Sequence, residues 1–193
     1  KPLFGAFHDS AWQFAGGITH MSTYTIQNHL PPEEYAAFAD YAGRLAFFCR
    51  RGTPVADVAI LIPERSVWAA YNPPDGGRVR RYFDRNPEAL KIDEVFRLTS
   101  QELLRNQRDF EYLTEEVLQS APVEQGRLAI ADEQFPLLVL PEVRMMRTNT
   151  LEKVRSFVKS GGRVVFVGSL PRQTPENGDD PEITRQASAL VAA

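Results

Sequence analysis

The sequence predicts an α/β protein built on an open, mostly parallel sheet flanked by helices. Three runs carry that prediction: "VADVAILIP" at 55–63, "FPLLVLPEV" at 135–143 and "RVVFVG" at 163–168. Each is apolar with no polar alternation, the mark of a strand covered on both faces, and such strands belong to parallel sheets with helices on either side. The segments between them have helical spacing and helical end signals, so strand and helix alternate from 55 to 168. Functional groups in such sheets gather beyond the carboxyl ends of the strands. Beyond the central run comes Pro141-Glu142-Val143, with no Ser, Cys, His or glycine loop. The fold is therefore plainer than any activity.

Taken in order, residues 3–15 place Leu3, Phe7, Ala11 and Phe14 at near-helical spacing, and Gly16-Gly17 stop that helix. "ITHMSTYTI", 18–26, is rich in β-branched and aromatic residues and reads as a strand. "PPEEYAAFADYAGRLAFFCRRG" has the clearest helix grammar, with proline and two glutamates in the first turn, two arginines in the last and Gly52 as the stop. Tyr35, Phe38, Ala42, Leu45 and Phe48-Cys49 form its apolar stripe. Residues 71–94, rich in Pro, Gly and charge, read as a long loop. A helix follows over 99–107, capped by Thr99 or Ser100. "FEYLTEEVL" is a short strand leading into a helical turn, and "GRLAIADEQ" a half-exposed strand or ribbon. Asn149 and Glu152 are spaced as a capping box for the next helix, which Gly161 ends. "RQTPENGDDPEITRQ" reads as a polar linker, with Asp180-Pro181 starting a last helix.

The chain has 193 residues and is 43% hydrophobic, enough for one large or two small domains. Its net charge of −3 and pI of about 5.7 give no electrostatic case for nucleic acid or an anionic membrane as partner. No apolar run approaches the roughly 20 residues of a membrane span. The single Cys49 excludes an intrachain disulfide framework and a multi-cysteine zinc site. The chain starts at Lys1 and stops inside a helical stretch, so a segment of a longer polypeptide is expected, and its cellular location is left open.

Few residues carry chemistry. A thiol nucleophile needs a sharp strand-to-helix elbow and a histidine in reach. Cys49 instead sits on an amphipathic helix before the first sheet strand, and no histidine follows His29. Gly161-Gly162 close a helix and precede a strand, the reverse of a phosphate-binding turn. His8, His20 and His29 match no local metal-ligand spacing. No catalytic residue, cofactor site or metal site is assigned. His20 and Tyr24 would share one face of the 18–26 strand. "PERSVWAAY", 63–71, follows the carboxyl end of the first sheet strand and carries Glu64, Arg65, Trp68 and Tyr71. Its aromatic pair suits either a sugar-lining or domain-contact surface or packing against the sheet.

The run of segments "AWQFAGGITHMSTYT", "YAGRLAFFCRRGTPVADVAILIPERSVWAAY", "DFEYLTEEVL", "GRLAIADEQFPLLVLPEV" and "LEKVRSFVKSGGRVVFVG" resembles the stretch after the catalytic barrel in large glycoside hydrolases of the α-L-rhamnosidase type. It is also similar to the trimerisation domain of β-galactosidases that pair a barrel with a flavodoxin-like domain. The resemblance covers roughly residues 11–170. It implies that 1–30 end a (β/α)₈ barrel, 31–52 form a connecting helix, 53–172 a class I glutamine amidotransferase-like domain without its nucleophile, and 173–193 a linker and the start of a further helix. It places the hydrolytic carboxylates upstream of Lys1. The implied partners are the barrel of the same polypeptide, carbohydrate through the parent enzyme, and further copies of the chain. The alternative from another class is a stand-alone flavodoxin-like binding module for a small molecule or protein.

Overall fold

The computed structural model describes residues 2–22, 29–72 and 86–191. The chain divides into two compact units, Lys1–Pro54 and Val55–Ala193.

The first unit is a helix pair, α1 (Pro2–Ala15) and α2 (Pro32–Cys49). Its core is Leu30, Phe38 and Ala42, joined by Leu3, Ala6, Phe7, Met21 and Tyr35. Phe7 meets Tyr41 edge-on at 4.7 Å between ring centroids. The two helices thus form one unit that runs across residue 30. Gly16 and Gly17 end α1 as expected, their amides donating to the carbonyls of Trp12 and Phe14. The strand expected over 18–26 is absent in its described part, 18–22. The Ile18 amide instead donates to the Gln13 carbonyl and closes the helix end. A strand also needs a neighbouring strand for its backbone groups, and the described elements of this unit are helical. The stripe of α2 is apolar-inward only in its first half: Phe38 is fully buried, whereas Phe48 is 79% exposed. Arg50 closes α2 in the right-handed region, so Gly52 is not a left-handed stop.

The second unit carries the sheet. In order it contains β1 (Val58–Leu61), α3 (Glu64–Ala70), α4 (Pro87–Arg105), β2 (Phe110–Leu113), α5 (Glu115–Ser120), β3 (Val123–Glu124), β4 (Arg127–Ile130), β5 (Glu133–Phe135), β6 (Leu137–Pro141), α6 (Thr148–Lys159), β7 (Arg163–Val167), β8 (Gln173–Thr174), β9 (Gly178–Asp179) and α7 (Pro181–Val191). The main sheet runs β2-β1-β6-β7, and its three pairings are all parallel. The three apolar runs are thus adjacent parallel strands, as predicted. Alternation along each strand divides the core in two. Ala59, Leu61, Leu138 and Leu140 face Leu118, Leu151, Val154, Phe157, Ile183 and Ala187 of α5, α6 and α7. Val58, Ile60 and Val139 face Phe96 and Leu103 of α4.

Several local expectations are corrected. The helix expected from Thr99 begins at Pro87, with Pro87 and Glu88 in its first turn. Ala89 and Ile92 are buried, so residues 87–94 are helix rather than loop. Residues 73–85 of that expected loop lie outside the described residues. Its flanks are tied together by the Asn72 amide donating to Asn86 Oδ1 at 2.6 Å and Asn86 Nδ2 donating back at 3.2 Å. Thr99 and Ser100, expected as caps, lie mid-helix and donate to the Val95 and Phe96 carbonyls. "GRLAIADEQ" is part of an antiparallel ribbon of β3, β4 and β5. The capping box is not formed, because Arg147 occupies the cap position of α6 and the Asn149 side chain bonds Gln119. Gly161 does end α6, at φ +101°. The described part of the expected linker and helix, residues 173–191, is a small hairpin and a helix whose Ile183 and Ala187 are buried in the core.

Val139 lies in β6 between two parallel neighbours and is 5% exposed. Val139→Asp buries an unpaired carboxylate there and is expected to cost about 3–5 kcal/mol. Urea denaturation of the chain measures it, and a loss below about 1 kcal/mol contradicts the two-sided burial of β6.

Candidate functional site

The carboxyl edge of the sheet is where β1, β2, β6 and β7 deliver their following residues. The residue after β6 is Glu142, a non-glycine in the left-handed region at φ +45°, with its side chain 1% exposed. Its amide donates to the Val167 carbonyl at 2.7 Å, continuing the β6–β7 ladder past the turn. Its carboxylate is saturated. Oε1 accepts from Arg144 Nε at 2.9 Å, Arg144 Nη2 at 2.6 Å and Ser169 Oγ at 3.0 Å. Oε2 accepts from the Ser169 amide at 2.9 Å. Gly168 turns the chain toward this carboxylate at φ +84°, and a Cβ there would lie 1.9 Å from Oε2. Burial pushes the Glu142 carboxyl up, but the Ser169 amide, the Arg144 guanidinium and the Ser169 hydroxyl outweigh it and hold the group below the ordinary carboxylate value.

The loop after Glu142 is pinned from α3. Ser66 is buried, and its Oγ accepts from the amides of Arg144 at 2.9 Å and Met145 at 3.0 Å. Arg144 also reaches Glu88 on α4 at 3.5 Å. At the end of β2, Thr114 caps α5 through its side chain. Glu115, 3% exposed, accepts from Arg65 Nε and from the Arg147 amide at 3.1 Å. Glu116 accepts from Arg65 Nη2 at 2.7 Å and Arg147 Nη1 at 3.3 Å. Its own backbone amide, with Arg65 and Thr114, holds the Glu116 carboxyl below its ordinary value.

Beyond β1, α3 turns Ser66 inward and leaves Trp68 63% and Tyr71 37% exposed. The sheet-packing alternative therefore does not describe Trp68. The Arg65 guanidinium lies over the indole, 6.0 Å from the ring centroid. Glu64 begins the same helix. The structure thus brings Glu64, Arg65, Trp68 and Tyr71 onto one short segment at the carboxyl edge. His20 lies in the other unit, exposed, with Nδ1 3.1 Å from Thr19 Oγ1 and Nε2 3.3 Å from Arg50 Nη1. Tyr24 lies outside the described residues, so its pairing with His20 does too. Cys49 is half-buried on α2. Among the described residues no group of three or more His, Cys, Asp or Glu could hold a metal ion. No described helix is long and apolar enough to cross a membrane.

The residues that organise the edge, Glu115, Glu116, Glu142, Arg144, Arg147 and Ser169, were not singled out from sequence. Their one signal is position: an acidic residue follows each of the runs ending at 63, 114 and 141. Chemically, the three bonded carboxylates act as acceptors. Two carboxyl groups that cleave a glycosidic bond need one held protonated as the acid, and Glu116 and Glu142 are both shifted the opposite way.

No family model matches the chain. By sequence it is 24% identical over 176 residues, 90% of its length, to a protein from Formosa agariphila described as "Putative beta-glucuronidase". The chain spans 13% of that protein. Among solved structures, a β-galactosidase from Bifidobacterium adolescentis is similar at 14% identity and a TM-score of 0.48, over 72% of this chain and 54% of that one. The E323A catalytic mutant of a GH42 β-galactosidase from G. stearothermophilus is similar at 15% identity and a TM-score of 0.46, over 76% of this chain and 19% of that one. Both scores lie below 0.5, and the α/β assignment rests on the strand order and pairing described above.

Glu142→Gln leaves the buried Arg144 with only the more distant and exposed Glu88 as counter-charge and is expected to cost about 2–4 kcal/mol at pH 7. Because the folded carboxyl lies below its unfolded value of about 4.3, its contribution is present above that pH and is lost as pH falls through the folded value. The gap between wild type and variant should therefore narrow below about pH 4 in denaturant titrations; a gap that stays constant into acid contradicts the ion pair. Trp68→Ala removes an exposed ring and should shift stability by no more than about 0.5–1 kcal/mol. A loss of about 3 kcal/mol or more would place the ring in the core.

Proposed function

We propose that this chain is a noncatalytic accessory segment of a glycoside hydrolase. Its second unit is an amidotransferase-like, flavodoxin-like domain, and α1, packed on α2 in the first unit, is the last helix of a (β/α)₈ catalytic barrel in the parent polypeptide. One observation carries the reading. The elbow after β6, where an enzyme of this architecture would expose a nucleophile, is filled by Glu142 with its carboxylate saturated by Arg144 and Ser169. The description of the sequence relative supports the parent class, and it favours a β-glycosidase over the α-L-rhamnosidase type. The hydrolytic carboxylates belong to the barrel, and the partners of this chain are that barrel, carbohydrate and further copies of the same polypeptide.

Two measurements test this. The chain alone should release no product from aryl β-galactosides, β-glucuronides or α-L-rhamnosides, nor ammonia from glutamine. Turnover that disappears in Cys49→Ala or Glu142→Gln overturns the noncatalytic assignment. An antibody raised against residues 55–193 should detect in source cells a polypeptide far larger than 21.8 kDa. A band at that mass supports the stand-alone binding module instead.

A further inference from the structure

We propose that Trp68 is a stacking platform for a neutral saccharide, set on the carboxyl edge of the second unit. The choice of carbohydrate rests on the glycoside hydrolase reading; the platform rests on geometry. An exposed tryptophan on a seven-residue helix would ordinarily sample several rotamers. This one is backed by a guanidinium over one face, a favourable contact with the ring quadrupole. That guanidinium is itself fixed. Arg65 is 15% exposed and donates Nε to Glu115 and Nη2 to Glu116. Glu115 is in turn held by the Arg147 amide. The indole thus has a held cation over its ring and is 63% exposed, which leaves ring surface for a ligand.

An indole with exposed ring surface suits the C–H face of a pyranose, whose polarised hydrogens meet the negative π face. It costs little ordering on binding, since the ring is already placed. Polar groups able to meet the ring hydroxyls belong to the same cluster. Glu116 is 55% and Arg147 34% exposed in their side chains, and Glu64 lies one helical turn before Trp68. The cluster holds three carboxylates, Glu64, Glu115 and Glu116, against two guanidiniums, Arg65 and Arg147. That balance disfavours an anionic ligand, which selects a neutral sugar over a uronate.

The test uses the 193-residue chain and saturation-transfer NMR with methyl β-D-galactopyranoside, cellobiose and glucuronic acid as probes. Transfer should be saturable for the neutral glycosides and confined to one sugar face. Glucuronic acid, ionised at pH 7, should bind more weakly. Trp68→Ala should weaken binding about tenfold, Trp68→Phe should retain part of it, and Trp12→Phe, on the exposed side of α1, should change nothing. Arg65→Lys, which loses the planar backing, should weaken binding without abolishing it. The proposal is overturned by absence of saturable transfer with every neutral probe, by equal transfer in Trp68→Ala, or by tighter binding of glucuronate. Failure here is separable from failure of the accessory reading. An inactive chain that binds no sugar removes the platform alone, whereas turnover by the chain removes the accessory assignment whatever Trp68 binds.

Discussion

A carboxylate that is 1% exposed must be neutralised where it stands, and the edge of this sheet is arranged around that requirement at Glu142. The residue sits in a backbone region that costs an L-residue with a side chain about 1–3 kcal/mol, immediately after the central strand. The surroundings compensate from several directions. Arg144, two residues on, folds back to the carboxylate, which forces the loop into a tight reversal. Ser66 takes up the amides that the reversal exposes. Ser169 supplies an amide and a hydroxyl from beyond β7, and Gly168 is the residue that lets the chain come that close. Strands β6 and β7 and helix α3 are thereby tied at one end by a charge.

The second cluster obeys the same logic on the other side. Glu115 is buried at the start of α5, and its counter-charge comes from Arg65 on α3. The amide of Arg147, the cap residue of α6, completes its shell. One carboxylate thus joins the ends of β1, β2 and β6 through the helices that follow them. The consequence for chemistry is restrictive. Groups whose hydrogen bonds all favour the ionised form are poor proton donors near neutral pH. Glu116 and Glu142, both held below the ordinary carboxylate value, are of that kind.

The strands were legible in the sequence because two-sided burial writes itself as an uninterrupted apolar run, a local signal. β1 and β6 follow from it; β7 is found by the same signal but lies at the sheet edge with Val165 44% exposed, so its apolar run overstates its cover. Signals that depend on competition between local partners were not legible. Asn149 and Glu152 have the spacing of a capping box, but Glu115, distant in sequence, takes the amide at the cap position and Gln119 takes the Asn149 side chain. Pro87 falls in the Pro- and Gly-rich 71–94 stretch, yet with Glu88 it opens α4, since proline at a first turn and proline in a loop look alike without the buried Ala89 and Ile92. "ITHMSTYT" has strand composition, but composition cannot supply the neighbouring strand that residues 18–22 lack. The charge network was invisible for a related reason. Its bonds join 65 to 115, 115 to 147 and 142 to 169, and no sequence period encodes contacts of that range.

The edge also leaves one indole, Trp68, exposed beside the charge network. Arg65 is drawn down to Glu115 and Glu116, and its guanidinium carbon lies over the Trp68 ring, 6.0 Å from the centroid. Arg65 thus serves two neighbours at once, as the counter-charge of the buried Glu115 and as the cation over the indole. On the function proposed above, such a surface serves to hold a sugar by shape and stacking, with the proton transfers of hydrolysis left to the barrel.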